Sequence, residues 1–511
     1  MTIDVRRAAL FAVLSGVVII IAVFLRFSSL DARVMHHDEA NQAVRFCALF
    51  TDGTYVYDPV EHHGPTLYYL SLPAAKLFAR NVSSVTEAML RAVPAFFGVL
   101  LVLLTFALAG FSRTAKVITA ACAAVSPALV YYSRYFIQEM LLVCFTFGVI
   151  VSLWRFLRSP TAFMAAIAGM CFGLMCATKE TWVLVTAALI PAVIVVLMMH
   201  RHDGMFRSVR EYCRMQFIFA GILGVVIPVA LFFTSFGTNP TGIFDVFRSV
   251  LPYISRSSGS GHAHPWYFYI TTLIGNRIGH FYITDVVFMV SGLAGVVLAF
   301  AGKIGGREQN AFARFIAVYT LSLALIYSII PYKTPWCLAG FFHGFILLAG
   351  MAAAAVYAGY TSRAARIVMT IAAGTMAFFF GVQSYAAGVL YGADSRNPYA
   401  YVHTLPDYLK CMARINQVAD TNTFIAVLAS ATDTWPAPWY LRNYQRVGYW
   451  TDTNPDPQIL QAPVILVAQE YQPAVHSRLE HTHVLEYYGL RENVFAALYI
   501  ERGLYKKVIR P

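Results

Sequence analysis

The chain has 511 residues, of which 58% are hydrophobic, 15% aromatic and 13% charged, and its mean hydropathy is +0.60. Soluble domains carry about 25% charged residues, so this composition excludes a water-soluble globular enzyme. The net charge of +12 lies wholly before residue 383, because residues 383–511 hold 11 Lys+Arg against 11 Asp+Glu; the surplus belongs to the membrane portion, where it reports orientation and not nucleic-acid binding.

Helical spans need about 20 apolar residues to cross a ~30 Å hydrocarbon core with every backbone group satisfied. Such stretches fall near 8–25, 89–111, 117–132, 135–154, 161–178, 181–199, 216–234, 282–301, 312–330, 337–359 and 367–382, about eleven in all. The first follows Arg6 and Arg7 with no small-x-small cleavage site after it, so it reads as a retained anchor. With the N-terminus cytoplasmic, the connections on that side carry Arg113 and Lys116, Arg155 and Arg158, Arg201, Arg207, Arg210 and Arg214, Lys303, Arg307 and Arg314, and Arg363 and Arg366, as the positive-inside rule requires. The opposite short connections carry only Arg134, Lys179 and Lys333. An odd span count then puts residues 383–511 outside the cytoplasm. The expected architecture is an α-helical polytopic membrane domain over 1–382, with an outer loop at 26–88, followed by a small extracytoplasmic α/β domain over 383–511 in the cell membrane.

Within the outer loop, residues 65–79 are too short to span and amphipathic enough to lie at the interface. Residues 255–264, rich in Ser, Gly and His, read as a mobile loop. The tail shows β-like runs at 424–429 and 464–468 and a helical pattern at 407–418, without a glycine phosphate loop or nucleotide fingerprint. The eight cysteines sit mostly in apolar runs and imply neither a metal site nor a disulfide framework.

The residues with chemical potential cluster on the outer side. Adjacent Asp38 and Glu39 follow the first span; proximity of like charges raises one pKa and prepares a general base, although Asp38 could equally cap a helix over 41–50. His36, His37, Asp38, Glu39, Glu61, His62 and His63 supply ligand types for a divalent metal, but loop histidines serve more often as hydrogen-bond partners and no H-E-x-x-H spacing is present. Arg134, Lys179 and Lys333 break the charge rule where a lone cation is expensive, and so are functional candidates. They either snorkel or pair with Glu139 and Glu180, or form a cationic cup for a lipid phosphate. Trp435, Trp439, Tyr440 and Trp450 either dock the tail on the membrane body or stack on a sugar face.

The ordered set Asp38-Glu39-Ala40, Glu61-His62-His63-Gly64-Pro65, Ser126-Pro127, Tyr132-Ser133-Arg134, Thr178-Lys179-Glu180 and Tyr332-Lys333-Thr334-Pro335-Trp336 resembles multi-span GT-C glycosyltransferases of the protein O-mannosyltransferase and aminoarabinose-transferase group. With Trp435-Pro436-Ala437-Pro438-Trp439 and Val447-Gly448-Tyr449-Trp450, it is most similar to the flippase-activity-associated N-glycosylation membrane proteins. The resemblance implies a polyprenyl-phosphate-linked sugar donor, Asp38 with Glu39 as the catalytic carboxylate position, Lys179, Lys333 and Arg134 near the donor phosphate, and His62, His63, Tyr332, Trp336, Trp435 and Trp439 around the substrates, with transfer to an acceptor hydroxyl on a lipid, glycan or protein. One departure is His62-His63-Gly64-Pro65 where aminoarabinose transferases carry Glu-Lys-Pro-Pro. The alternatives are a non-catalytic flippase or flippase accessory for lipid-linked sugars, and a metal-dependent hydrolase.

Overall fold

The computed structural model describes residues 3–200, 208–257, 261–452 and 455–509; Arg201, Arg207 and positions 258–260 of the Ser/Gly/His stretch fall outside them. The protein is a polytopic membrane protein. Among the described residues, eight helices are long and apolar enough to cross a bilayer, beginning with Ile3–Phe27 and ending with Arg363–Leu390. A ninth span is a pair, Arg113–Val125 and Pro127–Ser133, bent by 63°. The other two apolar stretches of the sequence are the helices Ala162–Cys176 and Val286–Phe300, of 15 residues each, and at 1.5 Å per residue each covers only about 22 Å. The difference from eleven full-length spans therefore lies in two short helices and one broken one.

The break has a local cause. Pro127 removes a backbone donor and collides with the preceding turn, and Ser126 caps the second piece by accepting from Leu129 N. Buried Asp285 holds the junction, accepting from Ser126 Oγ at 2.9 Å, Ala128 N at 2.7 Å and the Tyr399 hydroxyl at 2.6 Å. The second piece ends at Ser133 and delivers Arg134, Tyr135 and Phe136 to the base of the outer loop.

The outer loop folds as a helix His37–Asp52, a helix Thr66–Phe78 with Leu77 and Phe78 exposed, and a short turn Val82–Ser84. Beyond the membrane helices the hairpin β1 (Asn276–Ile278) and β2 (Phe281–Ile283) is antiparallel. The tail builds one mixed sheet from β3 (Ile425–Leu428), β4 (Val447–Trp450), β5 (Val464–Ala468), β6 (His483–Arg491) and β7 (Val494–Glu501), in the order β4-β3-β5-β7-β6. β3 runs parallel to β4 and β5, and β7 pairs antiparallel with β5 and β6. β3 and β5, buried on both faces, read as unbroken apolar runs, and the helix Asp407–Val418 covers one side through Tyr408, Cys411, Met412 and Ile415.

The helices Ala162–Cys176 and Met215–Phe233 pack most closely of all. A Cβ at Gly169 would strike the Gly221 carbonyl, and one at Gly173 the Val225 carbonyl, which is the close approach that a small-x-x-x-small stripe permits in membranes. Gly169→Leu is expected to cost about 1–3 kcal/mol through overpacking, read as a lowered thermal-unfolding midpoint in detergent; an unchanged midpoint would contradict this contact.

Candidate active site

Asp38 and Glu39, adjacent in sequence, have opposite environments. His36 caps the helix His37–Asp52: its Nδ1 accepts from Asp38 N at 3.0 Å, and its own N–H donates to Glu39 Oε2 at 3.2 Å. Glu39 is 0% exposed. Its carboxylate accepts from Arg91 Nε and Nη2, both at 2.8 Å, from Arg33 Nη2 at 3.2 Å and from Phe136 N at 2.9 Å. Burial alone would push Glu39 towards the neutral acid, but Arg91, Arg33 and the Phe136 N–H outweigh it and hold the carboxyl well below its usual range. Glu39, expected to share the chemistry with Asp38, is instead a buried clamp with its oxygens already occupied.

The Asp38 side chain is 38% exposed. Its carboxylate lies 3.9 Å from His36 Nδ1, and His37, His262, Tyr135 and Tyr332 stand within its electrostatic range. His36 rings lie 5.4 Å from Tyr135, 5.9 Å from Trp336 and 5.3 Å from His403. The Tyr401 hydroxyl binds His262 Nδ1 at 2.8 Å and His264 Nε2 at 2.9 Å, while the Tyr401 carbonyl meets His36 Nε2 at 3.0 Å. His37 lies against Trp435, with ring centroids 5.9 Å apart. Burial pushes His36 and His37 below the ordinary imidazole value. A carboxylate in the first turn of a helix, ringed by imidazoles and aromatic rings and open on one side, can accept a proton from a bound hydroxyl.

The candidate cations divide. Lys179 forms a buried ion pair with Glu139, and Glu180 accepts from His63 Nδ1 at 3.0 Å. The turn that carries them is pinned to the outer loop. Gly64 lies so close to Ala177 and Thr178 that a Cβ there would meet their backbone, Thr66 N donates to the Ala177 carbonyl at 3.2 Å, and Thr66 Oγ1 donates to Thr178 Oγ1 at 2.8 Å. A small cavity of about 20 Å³ is lined by Lys179, Glu139, Trp336, Cys337 and Tyr327, among others. Tyr332 ties this cluster to Asp38: burial first, then Asp38, pushes its hydroxyl up to about 12, against an opposing pull from Lys179. Lys333 turns away, donating Nζ to the carbonyls of His264 at 3.0 Å and Ile330 at 2.5 Å; it fastens the His262–His264 segment to the Pro331–Lys333 segment, which already pair through Lys333 N and the His262 carbonyl at 2.9 Å.

Arg134 is buried and donates to the carbonyls of Gly388, Leu25, Arg26 and Ser29, a helix-joining role that leaves it apart from the Lys179 cluster. Trp439, expected at the substrate, is 0% exposed; its Nε1 donates to Glu87 Oε1 at 2.8 Å, and the Arg442 guanidinium lies 3.6 Å over its ring. It docks the tail and has no free face for a sugar. His62 binds the Tyr55 hydroxyl at 2.7 Å, in a part of the loop without direct contact to Asp38. Among the described residues, no group of three or more His, Cys, Asp or Glu side chains is placed to hold a metal ion, and both nitrogens of His36 are engaged with backbone. Sequence reasoning missed Arg33, Arg91, Tyr135, His262, His264, Tyr401 and His403. Only the outlying cation Arg33 and the His262/His264 pair carried a signal, and the tail residues none.

A family model described as dolichyl-phosphate-mannose-protein mannosyltransferase matches residues 63–239, a stretch that holds the His63 to Glu180 contact but neither Asp38 nor Lys333. Comparison with curated protein sequences returns no match. Among solved structures, ArnT from Cupriavidus metallidurans in the apo state superposes with a TM-score of 0.65 at 13% identity, over 97% of this chain and 98% of that one. The same protein bound to undecaprenyl phosphate gives 0.64 at 14% identity, over 96% and 98%. The oligosaccharyltransferase AglB from Archaeoglobus fulgidus, in complex with an inhibitory peptide and a dolichol-phosphate, gives 0.52 at 12% identity, over 98% of this chain and 77% of that one. The chain has the GT-C fold. At these identities the likeness is one of architecture, and it extends through the tail as well as the membrane helices.

Two outcomes follow from the charges. Glu39→Gln leaves Arg91 and Arg33 buried without their counter-charge and is expected to cost about 3–5 kcal/mol, seen as loss of monodisperse protein on size exclusion. Glu180, buried, is drawn down by His63 and Lys179 against the upward push of burial, from 4.5 to about 2. A carboxyl lowered by folding contributes stability above its unfolded value and loses it as pH falls through the folded one, so the melting temperature should drop between pH 4.5 and about 2. Glu180→Gln should flatten that part of the profile; an identical slope in the variant would refute the assignment.

Proposed function

We propose that the protein is a membrane glycosyltransferase that moves a sugar from a polyprenyl-phosphate-linked donor to an acceptor hydroxyl on the extracytoplasmic face of the cell membrane. The observation that carries this reading is a partly open Asp38, its neighbour Glu39 being fully engaged, on the same face as a Lys179 cluster, with Tyr332 within electrostatic range of both. The GT-C fold, the mannosyltransferase-model match and the lipid phosphates bound by ArnT and AglB support the donor class.

In the proposed reaction Asp38 takes the proton of the acceptor hydroxyl as its oxygen bonds to the anomeric carbon. The bond from that carbon to the phosphate oxygen breaks, and the lipid phosphate leaves with the electron pair. Single displacement inverts the anomeric centre and needs no covalent sugar–enzyme intermediate. Lys179 stabilises the charge that grows on the departing phosphate, while Trp435, Trp336 and Tyr332 border the reacting groups. Lys333 and Glu39 act as positioning residues, and the N-terminus lies in the cytoplasm with the tail outside.

Asp38→Asn is nearly isosteric, and Asp38 makes none of the buried ion pairs, so the variant should insert and melt like the wild type. Transfer from a radiolabelled polyprenyl-phosphate sugar should fall about 10²- to 10⁴-fold, the usual worth of a general base. The flippase reading expects lipid-linked sugar to cross proteoliposomes undiminished in the same variant. Retained transfer in Asp38→Asn would remove Asp38 from the reaction.

A further inference from the structure

We propose that a second site, at the other end of the membrane domain, binds the phosphate headgroup of an anionic phospholipid in the opposite leaflet. The helix Glu139–Arg158 joins the two regions. Its first residue pairs with Lys179, and its last turn holds Arg155 and Arg158; 20 residues at 1.5 Å each put these ends about 30 Å apart.

Around that last turn lies a cavity of about 700 Å³, lined by Trp154, Arg155, Arg158, Thr161, Phe163 and Glu308 among others. Its wall is assembled by four elements. Trp154 Nε1 donates to the Ala109 carbonyl at 3.1 Å, and Gln309 Nε2 donates to the Gly110 carbonyl at 2.6 Å. Arg158 pairs with Glu308 at 3.0 Å. Gly110, at φ +87°, lets the backbone pass beneath that pair, since a Cβ would stand 3.0 Å from Glu308 Oε2 and 3.1 Å from Arg158 Nη1.

The charges do not balance. Lys116, from the start of the helix Arg113–Val125, lies within electrostatic reach of both Arg155 and Arg158. The lining thus holds two cations, Arg155 and Arg158, with Lys116 in range of both, against one carboxylate, Glu308, which is taken by Arg158. Neither Arg155 nor Lys116 has an ion-pair partner among the described residues. Like charges gathered this closely repel, so the arrangement favours an anion, and Arg and Lys both bind phosphate oxygens. The rim selects a lipid over a soluble anion: Phe163 is 67% exposed, beside Leu157 and Met164. Acyl chains would lie on this apolar side while the headgroup enters between the cations. Basic pockets between spanning helices recognise lipid headgroups in this way.

The test uses full-length protein in nanodiscs of phosphatidylcholine with or without phosphatidylglycerol, and compares the wild type with the double variant Lys116→Gln/Arg155→Gln. Neither side chain holds the fold together, so both proteins should melt alike in pure phosphatidylcholine. Phosphatidylglycerol should raise the wild-type melting temperature, and native mass spectrometry should show about tenfold less bound phosphatidylglycerol on the double variant. Phe163→Ser, which keeps every cation, should weaken lipid retention and leave any response to inorganic phosphate unchanged. Equal phosphatidylglycerol binding by wild type and double variant would overturn the proposal. Stabilisation of the wild type by inorganic phosphate alone, in phosphatidylcholine at matched ionic strength, would overturn it in favour of a soluble anion site. These readouts are independent of transfer activity, so the Asp38 reading can fail while this one stands.

Discussion

The Glu39 carboxylate is the point on which the outer face is organised. Three separate pieces of chain meet on its two oxygens: the linker that carries Arg33 and the helix cap His36, the spanning helix that carries Arg91, and the segment after the bent span through Phe136 N. A buried ion of this kind is costly unless every lone pair is used and its counter-charges are fixed, and here they are. Residues on a helix are rotated by about 100° from one to the next, so fixing Glu39 inward turns Asp38 out. The clamp thus helps determine where the neighbouring carboxylate points, and two identical functional groups acquire different surroundings from position alone.

The tail is part of the same arrangement and is not an appendage. Tyr401 joins His36 to His262 and His264, Trp435 packs on His37, and the Tyr440 hydroxyl accepts from Met35 N at 2.9 Å. Trp439 and Arg442 anchor this wall on Glu87 and the Val85 carbonyl, at the start of the helix that supplies Arg91. One spanning helix therefore holds both the carboxylate clamp and the tail.

Much of this was legible in the sequence, and the omissions have physical reasons. Each apolar stretch became a helix because lipid leaves the backbone no other partner, and the helix at Asp407–Val418 and the strands β3 and β5 follow from apolar periodicity. β7 is hydrophobic from Val494 to Ile500 and was as legible a run as β3 and β5, whereas β6 mixes His, Glu, Gly and Arg with its apolar residues and shows no such run. At the site, adjacency made Asp38 and Glu39 look equivalent, because sequence spacing carries no information on which of two neighbours will be buried. Lys179 with Glu139 was foreseeable as a charge pair, whereas His63 with Glu180 was not, being 117 positions apart; Arg134 and Trp439 were not separable from ligand-binding residues, because a cation or a tryptophan at a membrane surface looks the same whether it meets backbone carbonyls or a substrate. His403 and Tyr401 lie more than 350 positions from His36, beyond the reach of any local pattern.

The state of Lys179 also bears on how a lipid phosphate would be handled. In the ground state its ammonium is shared with Glu139, and Glu180 adds a second carboxylate beside it, so the cluster has no excess of positive charge and presents no permanent sink for anions. A phosphodiester donor, with its charge spread and partly masked by the sugar, would compete poorly with Glu139. A departing phosphate monoester carries more charge and competes better. Interactions that strengthen as charge develops lower the barrier, whereas those already complete with bound substrate only tighten binding. A lysine held by a carboxylate is therefore better suited to stabilising bond cleavage than to capturing the donor, and the apolar surroundings of the donor's lipid chain are left to supply most of its affinity.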